Sequence, residues 1–338
     1  MDGWRLSDEQ LRDWLASLLE AGRKVVAPVE EDGLVLFREV ASAAEMRLEP
    51  RGRTRWSAKE FLFPATETLF SFTFDGDSVA VEMPPKAPEQ VIVGLRPCDA
   101  AGIARLDEVL LADELYARRR EGTTLVSIAC AEADPACFCT AVGGSPAGTE
   151  GSDLQFVPLD GDWVGRSLSE RGTALVGRAA SLWAPAREED WAAVDAQRRT
   201  VEESIGADEI PAEWAGDLAE QFDAELWTTV GDRCLRCGLC AYVCPTCSCF
   251  DVNDAGNAQC GTRCRSWDSC GFAQFTKQAA GHNPRPTQPA RYRQRVLHKF
   301  AWFVLEHGQF MCVGCGRCVE LCPAGLDIRE AVKKVANP

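Results

Sequence analysis

The chain has no long apolar run. Nothing approaches the roughly 18 residues that a membrane helix needs, and the piece "FAWFVLEHG" is short and interrupted, so membrane insertion is not expected. The start, "MDGWRLSDEQ", has no basic segment followed by an apolar one, so no secretory signal is expected. Positive charge is scarce, with 36 Lys and Arg against 51 Asp and Glu and a formal net charge of -15. Phosphate binding needs a basic face, which argues against a nucleic-acid partner. There is no G-x-G-x-x-G after a strand and no P-loop, and "VGGSPAG" has the wrong spacing. The chain is therefore expected to bind neither flavin nor nicotinamide, leaving hydride chemistry to a neighbour. His282, His298 and His307 are the only histidines, and each is read as a hydrogen-bonding or surface residue.

Cysteine is abundant instead, 17 in 338 residues. The features missing above leave a soluble, cytoplasmic protein as the expectation. Thiols stay reduced in that compartment, so these are read as metal ligands rather than disulfides. With 46% hydrophobic and 26% charged residues, the chain can bury a core, and its length suggests about two domains.

The expected fold class is α+β. An N-terminal α/β domain, residues 1–225, is expected to carry a βαβ unit. A C-terminal helical, ferredoxin-like domain follows over residues 226–338. "SDEQLRDWLASLLEAG" reads as a helix, with Ser7 and Gln10 as a capping box and Gly22 at its end. "KVVAPVEEDGLVLFREV" reads as two strands around Asp-Gly, and "LQFVPLDGDWVG" as another such hairpin. In "VIVGLRPCDAAGIARLDEVLL", the strand Val91–Leu95 runs into a helix, and "TTLVSIAC" supplies a second, parallel strand. Both strands then end on one sheet edge, where open α/β sheets place their sites. From Pro185 to about Trp227 the pattern is helical.

The cysteine motif occurs twice. One copy is Cys234-x2-Cys237-x2-Cys240-x3-Cys244-Pro245, and the other is Cys312-x2-Cys315-x2-Cys318-x3-Cys322-Pro323. This is the bacterial ferredoxin run, in which three cysteines hold one [4Fe-4S] cube and the fourth ligates the other. The assignment is Cys234, Cys237, Cys240 and Cys322 for one cluster, and Cys312, Cys315, Cys318 and Cys244 for the other. Zinc sites usually pair two CxxC units, and two complete runs closed by proline fit that badly. The long spacer ends in the helical pattern "ARYRQRVLHKFAWFVLEHGQF". The C-terminal domain therefore reads as a helical ferredoxin, similar to that of fumarate reductase iron–sulfur subunits.

Cys98 and Cys130 terminate the two parallel strands, and Cys137 and Cys139 follow on the next loop. Four thiols at one sheet edge suffice for a third cluster, with Asp99 as an alternative or supporting group. The bland reading is buried structural cysteine. Cys247, Cys249, Cys260, Cys264 and Cys270 are left without an assignment: they line a cluster, build another metal site, or pack.

"RPCDAAGI", "CFC", "CPTCSCFDV", "RCRSWDSCGFAQFTKQAAGHNPR", "RYRQRVLHKF" and "CVGCGRCVELCP" appear in that order. Together they resemble the iron–sulfur beta subunit of cytoplasmic sulfhydrogenases, a family that includes the corresponding iron–sulfur component of anaerobic sulfite reductase. The resemblance runs from about Val91 onward and is most specific between Cys234 and Cys322. Ser248 stands where the family pattern usually has an aromatic residue, and Cys260 and Cys264 are not family positions. The resemblance implies an electron relay between a flavin subunit that handles NAD(P)H and a catalytic subunit such as a nickel–iron hydrogenase.

Arg263 and Arg265 are candidates to offset the charge of thiolate-ligated cubes. Arg285, Arg291, Arg293, Arg295 and Lys299 form a basic stretch that either docks an acidic partner, faces the clusters, or is a solvated helix face. Three functions compete. The preferred one is an electron-transfer subunit of a multi-subunit oxidoreductase, of hydrogenase or sulfite reductase type. The others are a catalytic iron–sulfur subunit using the surplus cysteines, and a zinc-stabilised scaffold.

Overall fold

The computed structural model describes residues 3–49, 51–206 and 209–336. Its strands are β1 (Trp4–Ser7), β2 (Lys24–Glu31), β3 (Leu34–Glu39), β4 (Thr66–Asp75), β5 (Ser78–Glu82), β6 (Gln90–Leu95), β7 (Thr123–Ile128), β8 (Leu154–Leu159), β9 (Asp162–Ser167), β10 (Ala184–Pro185), β11 (Phe250–Gly256) and β12 (Cys260–Trp267). They form an eight-stranded sheet, β10-β1-β9-β8-β7-β6-β2-β3, and a four-stranded sheet, β11-β12-β4-β5.

The large sheet is parallel at its centre, from β2 through β6 and β7 to β8, and antiparallel at its flanks. Every residue of β6 and β7 is buried, as expected of parallel strands covered on both faces. The two hairpins turn through Asp32-Gly33 and Asp160-Gly161, each pair with positive φ. Such turns match the right-handed twist of the strands they join. The helix Asp8–Glu20 starts at the Ser7–Gln10 capping box. It lays Leu11, Trp14, Leu15 and Leu18 on the sheet, where the Trp14 ring meets Phe156 and Trp183.

The βαβ unit is β6, the helix Pro97–Leu110 and β7, with a further helix, Glu114–Glu121, before β7. Pro97 opens the first of these helices, a position where the missing N–H costs nothing. Cys98 sits in its first turn, and Cys130 lies just past β7 on the same edge. Gly102, on this helix, touches Pro245 of the first cysteine run. A Cβ at Gly102 would lie 2.6 Å from the proline's Cβ, so only glycine permits this approach.

The smaller sheet draws β4 and β5 from before position 225 and β11 and β12 from after it, joined by the antiparallel pair β12–β4. It ties the cysteine-rich segment to the N-terminal one. The expected helical stretch contains helices Glu188–Ile205, Trp214–Glu220 and Leu226–Gly231, and residues 207 and 208 within it lie outside the described residues. The last two helices pack with Gln288–Leu297 and Ile328–Ala336 around Leu218, Trp227, Val296, Phe300 and Val332. Helix Gln288–Leu297 continues through a π-helical turn, His298–Trp302, into Phe303–His307. Among the described residues, no helix is long and apolar enough to cross a membrane.

Candidate metal centre

The repeated cysteine motif folds as a repeated structure. Gly238 and Gly316 each follow the second cysteine of their run, with φ 73° and ψ -11° in both, and each opens a four-residue helix. One step before that cysteine, Arg236 and Gly314 both have φ 63°. The same spacing thus gives the same loop twice, and Arg236 holds a left-handed conformation that L residues resist.

The two runs interlock. Cys244, the last cysteine of the first run, lies close enough to Cys312, Cys315 and Cys318 for its charge to bear on all three. Cys240 responds likewise to Cys234. Arg233, next to Cys234, donates to the carbonyl of Ala324, just beyond Cys322, at 2.8 Å. Cys237 is exposed at the rim. The Cys322 sulfur accepts from the Leu326 N–H at 3.3 Å.

The N-terminal cysteines converge too. Cys139 responds to Cys130 and Cys137, and Cys98 to Cys130 and to Cys315 of the second run. The Phe138 N–H, between Cys137 and Cys139, donates to the Gly314 carbonyl at 2.9 Å. A Cβ at Gly316 would lie 2.2 Å from the Ala136 carbonyl oxygen, so this loop is seated directly on the second run. A cavity of about 140 Å³ borders Cys98, Cys139 and Cys312. Asp99 does not point at these thiols alone: both its oxygens are taken by buried Arg317, at 2.8 and 3.0 Å.

As bare thiols these groups resist ionisation. Burial pushes Cys130, Cys240 and Cys315 up to about 11 and Cys139 to about 12, against Arg96 at Cys130, Arg295 at Cys240 and Arg317 at Cys315. A coordinated metal deprotonates a thiol outright. Cys244 runs the other way: a hydrogen bond from Cys247 holds it low against burial, helped by Lys299, Arg295 and Lys59.

Buried cations surround the thiols. Gln288, Arg291, Arg295 and Lys299 are all buried and recur at helical spacing, so one face of helix 288–307 is a polar stripe. Gln288 donates to Cys234 Sγ at 2.9 Å, and Arg291 Nε holds the Gln288 amide oxygen at 3.1 Å. Arg295 reaches Cys247 Sγ at 3.4 Å and the Cys240 carbonyl at 2.9 Å. Lys299 reaches Thr246 Oγ1 at 2.7 Å. Opposite them, buried Lys59 bonds the Ala241 and Cys247 carbonyls and lies over the Trp267 ring. Among the described residues, Lys59, Arg295 and Lys299 have no carboxylate partner. Three unpaired buried cations are costly unless negative charge sits beside them.

Two orphaned donors mark the N-terminal group. Arg96 Nη1 and Arg53 Nε are buried with no hydrogen-bond partner among the described residues. Arg96 bears on Cys130, and Arg53 Nη1 reaches Cys137 Sγ at 3.4 Å. Arg53 already pairs with Asp134 and Glu320, whereas Arg96 bonds only the carbonyls of Glu49, Arg51 and Gly52; a cysteine-only donor set beside that arginine suits an anionic, thiolate-ligated iron–sulfur cube. Among the described residues, no three His, Cys, Asp or Glu groups gather closely enough to hold a single metal ion. The corners of a cube lie on different irons and space their thiolates more widely.

Some expectations relocate. Arg265 is buried but spends its charge on Glu67 and Asp113, and exposed Arg263 pairs with Asp254, so neither arginine faces a cysteine run. Cys260 and Cys264 lie on β12, away from the runs, with Cys264 near Thr68. Lys59 was not singled out in the sequence, because nothing around it signals burial.

The family model of a 4Fe-4S dicluster domain matches residues 233–326. Sulfhydrogenase 2 subunit beta of Pyrococcus furiosus is 32% identical over 345 aligned positions, covering 98% of this chain and 97% of the relative. The chain belongs to the sulfhydrogenase beta-subunit family. The alignment extends over the N-terminal residues, where the motifs alone carried little signal. The chain is thus an iron–sulfur protein of a family named as one subunit of a larger enzyme, in keeping with an electron-transfer role.

Proposed function

We propose that this chain is the electron relay of a multi-subunit oxidoreductase, passing electrons between a flavin-containing subunit that handles NAD(P)H and a catalytic subunit such as a nickel–iron hydrogenase. Cys234, Cys237, Cys240 and Cys322 hold one [4Fe-4S] cluster, and Cys312, Cys315, Cys318 and Cys244 hold the second. Cys98, Cys130, Cys137 and Cys139 hold a third, and the chain itself binds no flavin or nicotinamide. The clusters supply one-electron transfer. The protein's residues fix their order, shield them from water and offset their charge. The third group abuts the second run through Cys98–Cys315 and Phe138–Gly314, and the second run meets the first through Cys244. The groups therefore follow one another in a row.

The observation that carries this reading is Cys244 among Cys312, Cys315 and Cys318, the exchanged fourth cysteine of a two-cluster ferredoxin. The relative's name favours a hydrogenase partner over a sulfite reductase. Cys244→Ser tests the exchange. It is expected to abolish or alter one of the two ferredoxin-type EPR signals and to leave the other intact. Loss of neither signal would contradict the assignment.

A further inference from the structure

Cys249 and Cys270 are used by none of the three groups above. Cys249 immediately precedes β11, whose first residue, Phe250, pairs with Trp267 at the end of β12. Its carbonyl accepts from the Asp268 N–H at 2.9 Å. The chain then turns about buried Ser269, whose hydroxyl accepts from the Gly271 N–H. The end of a β-ladder and a tight turn thus hold the two cysteines side by side, and each thiol is the strongest influence on the other. The Cys270 backbone N–H also points at the Cys249 sulfur.

A structural cysteine filling apolar space needs no cations around it. Here Arg295 and Lys299 both bear on Cys270, and Lys299 on Cys249. Cys270 lies near enough to Cys240 of the first run to influence it.

We propose that Cys249 and Cys270 form a redox-active dithiol that closes reversibly to a disulfide beside the cluster-binding runs. The proposal rests on the relay reading for its electron partners. On oxidation, the two S–H bonds break and one S–S bond forms. Two protons leave to solvent, and two electrons pass singly to oxidised iron–sulfur clusters. Reduction reverses each step. The pair would store two electrons beside a one-electron wire, matching the hydride-sized input of a nicotinamide-linked partner. The contact favours closure: the Cys270 donors hold the Cys249 sulfur below the ordinary thiol range, and the thiolate is the form that reacts.

The test uses the full chain, purified anaerobically with its iron. Samples are poised over a range of potentials, quenched in acid, alkylated and mapped by peptide mass spectrometry, with iron and acid-labile sulfide measured in parallel. A Cys249–Cys270 cross-link is expected in oxidised samples. Its ratio to free thiol should change tenfold per about 30 mV, the two-electron slope, rather than per about 59 mV. Cys249→Ser and Cys270→Ser should each remove the cross-link and keep wild-type iron and sulfide. Full alkylation of both thiols in the oxidised, iron-loaded protein would overturn the proposal, as would loss of iron in either variant. Wild-type protein that binds no iron would overturn the relay reading, and that result is read separately from the thiol map.

Discussion

The side-chain N–H of Gln288 points at the Cys234 sulfur from 2.9 Å, and Arg291 fixes that orientation by taking the amide oxygen. Hydrogen bonds to cluster sulfurs raise reduction potentials. Gln288→Leu should therefore shift one cluster to a more negative potential. A net hydrogen bond of about 0.5–1.5 kcal/mol corresponds to about 20–60 mV for one electron. An EPR-monitored redox titration measures this directly, and an unchanged midpoint would place Cys234 outside the cluster's ligand set.

Asp99 and Arg317 join the βαβ unit to the second cysteine run through a bidentate pair with both side chains buried. Removing one partner strands the other charge. Asp99→Ala is expected to destabilise the protein by about 3–5 kcal/mol. The double variant Asp99→Ala/Arg317→Met should recover part of that loss, because it leaves no unpaired charge. Denaturant unfolding of the four proteins completes the cycle. Additive losses would mean that the two side chains do not act as a pair.

His298 lies in the π-helical turn beside Lys299. Burial, then the Lys299 and Arg295 charges, hold its pKa near 4, below the ordinary 6.5. It is neutral in the folded chain, and the unfolded chain takes up the proton more readily. Its contribution to stability is therefore full above pH 6.5 and is lost as pH falls from 6.5 towards 4. The loss should reach about 2 kcal/mol at pH 5. Comparing wild type with His298→Gln at pH 7 and pH 5 isolates this effect from any acid lability the two proteins share. The stability gap should shift in the variant's favour at pH 5, and an equal gap at both values would count against a buried neutral imidazole.

The elements with local signals were legible in the sequence. The Ser7 capping box, both Asp-Gly hairpins, the βαβ unit and the doubled cysteine motif each depend on residues a few positions apart. The four-stranded sheet was not. Strands β5 and β11 are exposed along their whole lengths, so they lack the alternation that marks a half-buried strand, and β12 reaches β4 across most of the chain. Arg265 illustrates the same limit, since its partners Glu67 and Asp113 are remote in sequence. The stripe Gln288, Arg291, Arg295 and Lys299 has helical period, but hydropathy reads it as solvated. Its burial is decided by thiols on a different segment.

Iron and acid-labile sulfide per chain, measured after strictly anaerobic purification with EPR of the dithionite-reduced protein, test the central claim most directly. Three [4Fe-4S] clusters predict about twelve irons and as many sulfides, with the reduced clusters contributing EPR signals. About eight would remove the Cys98 group from the relay, and zinc in place of iron would contradict the relay altogether.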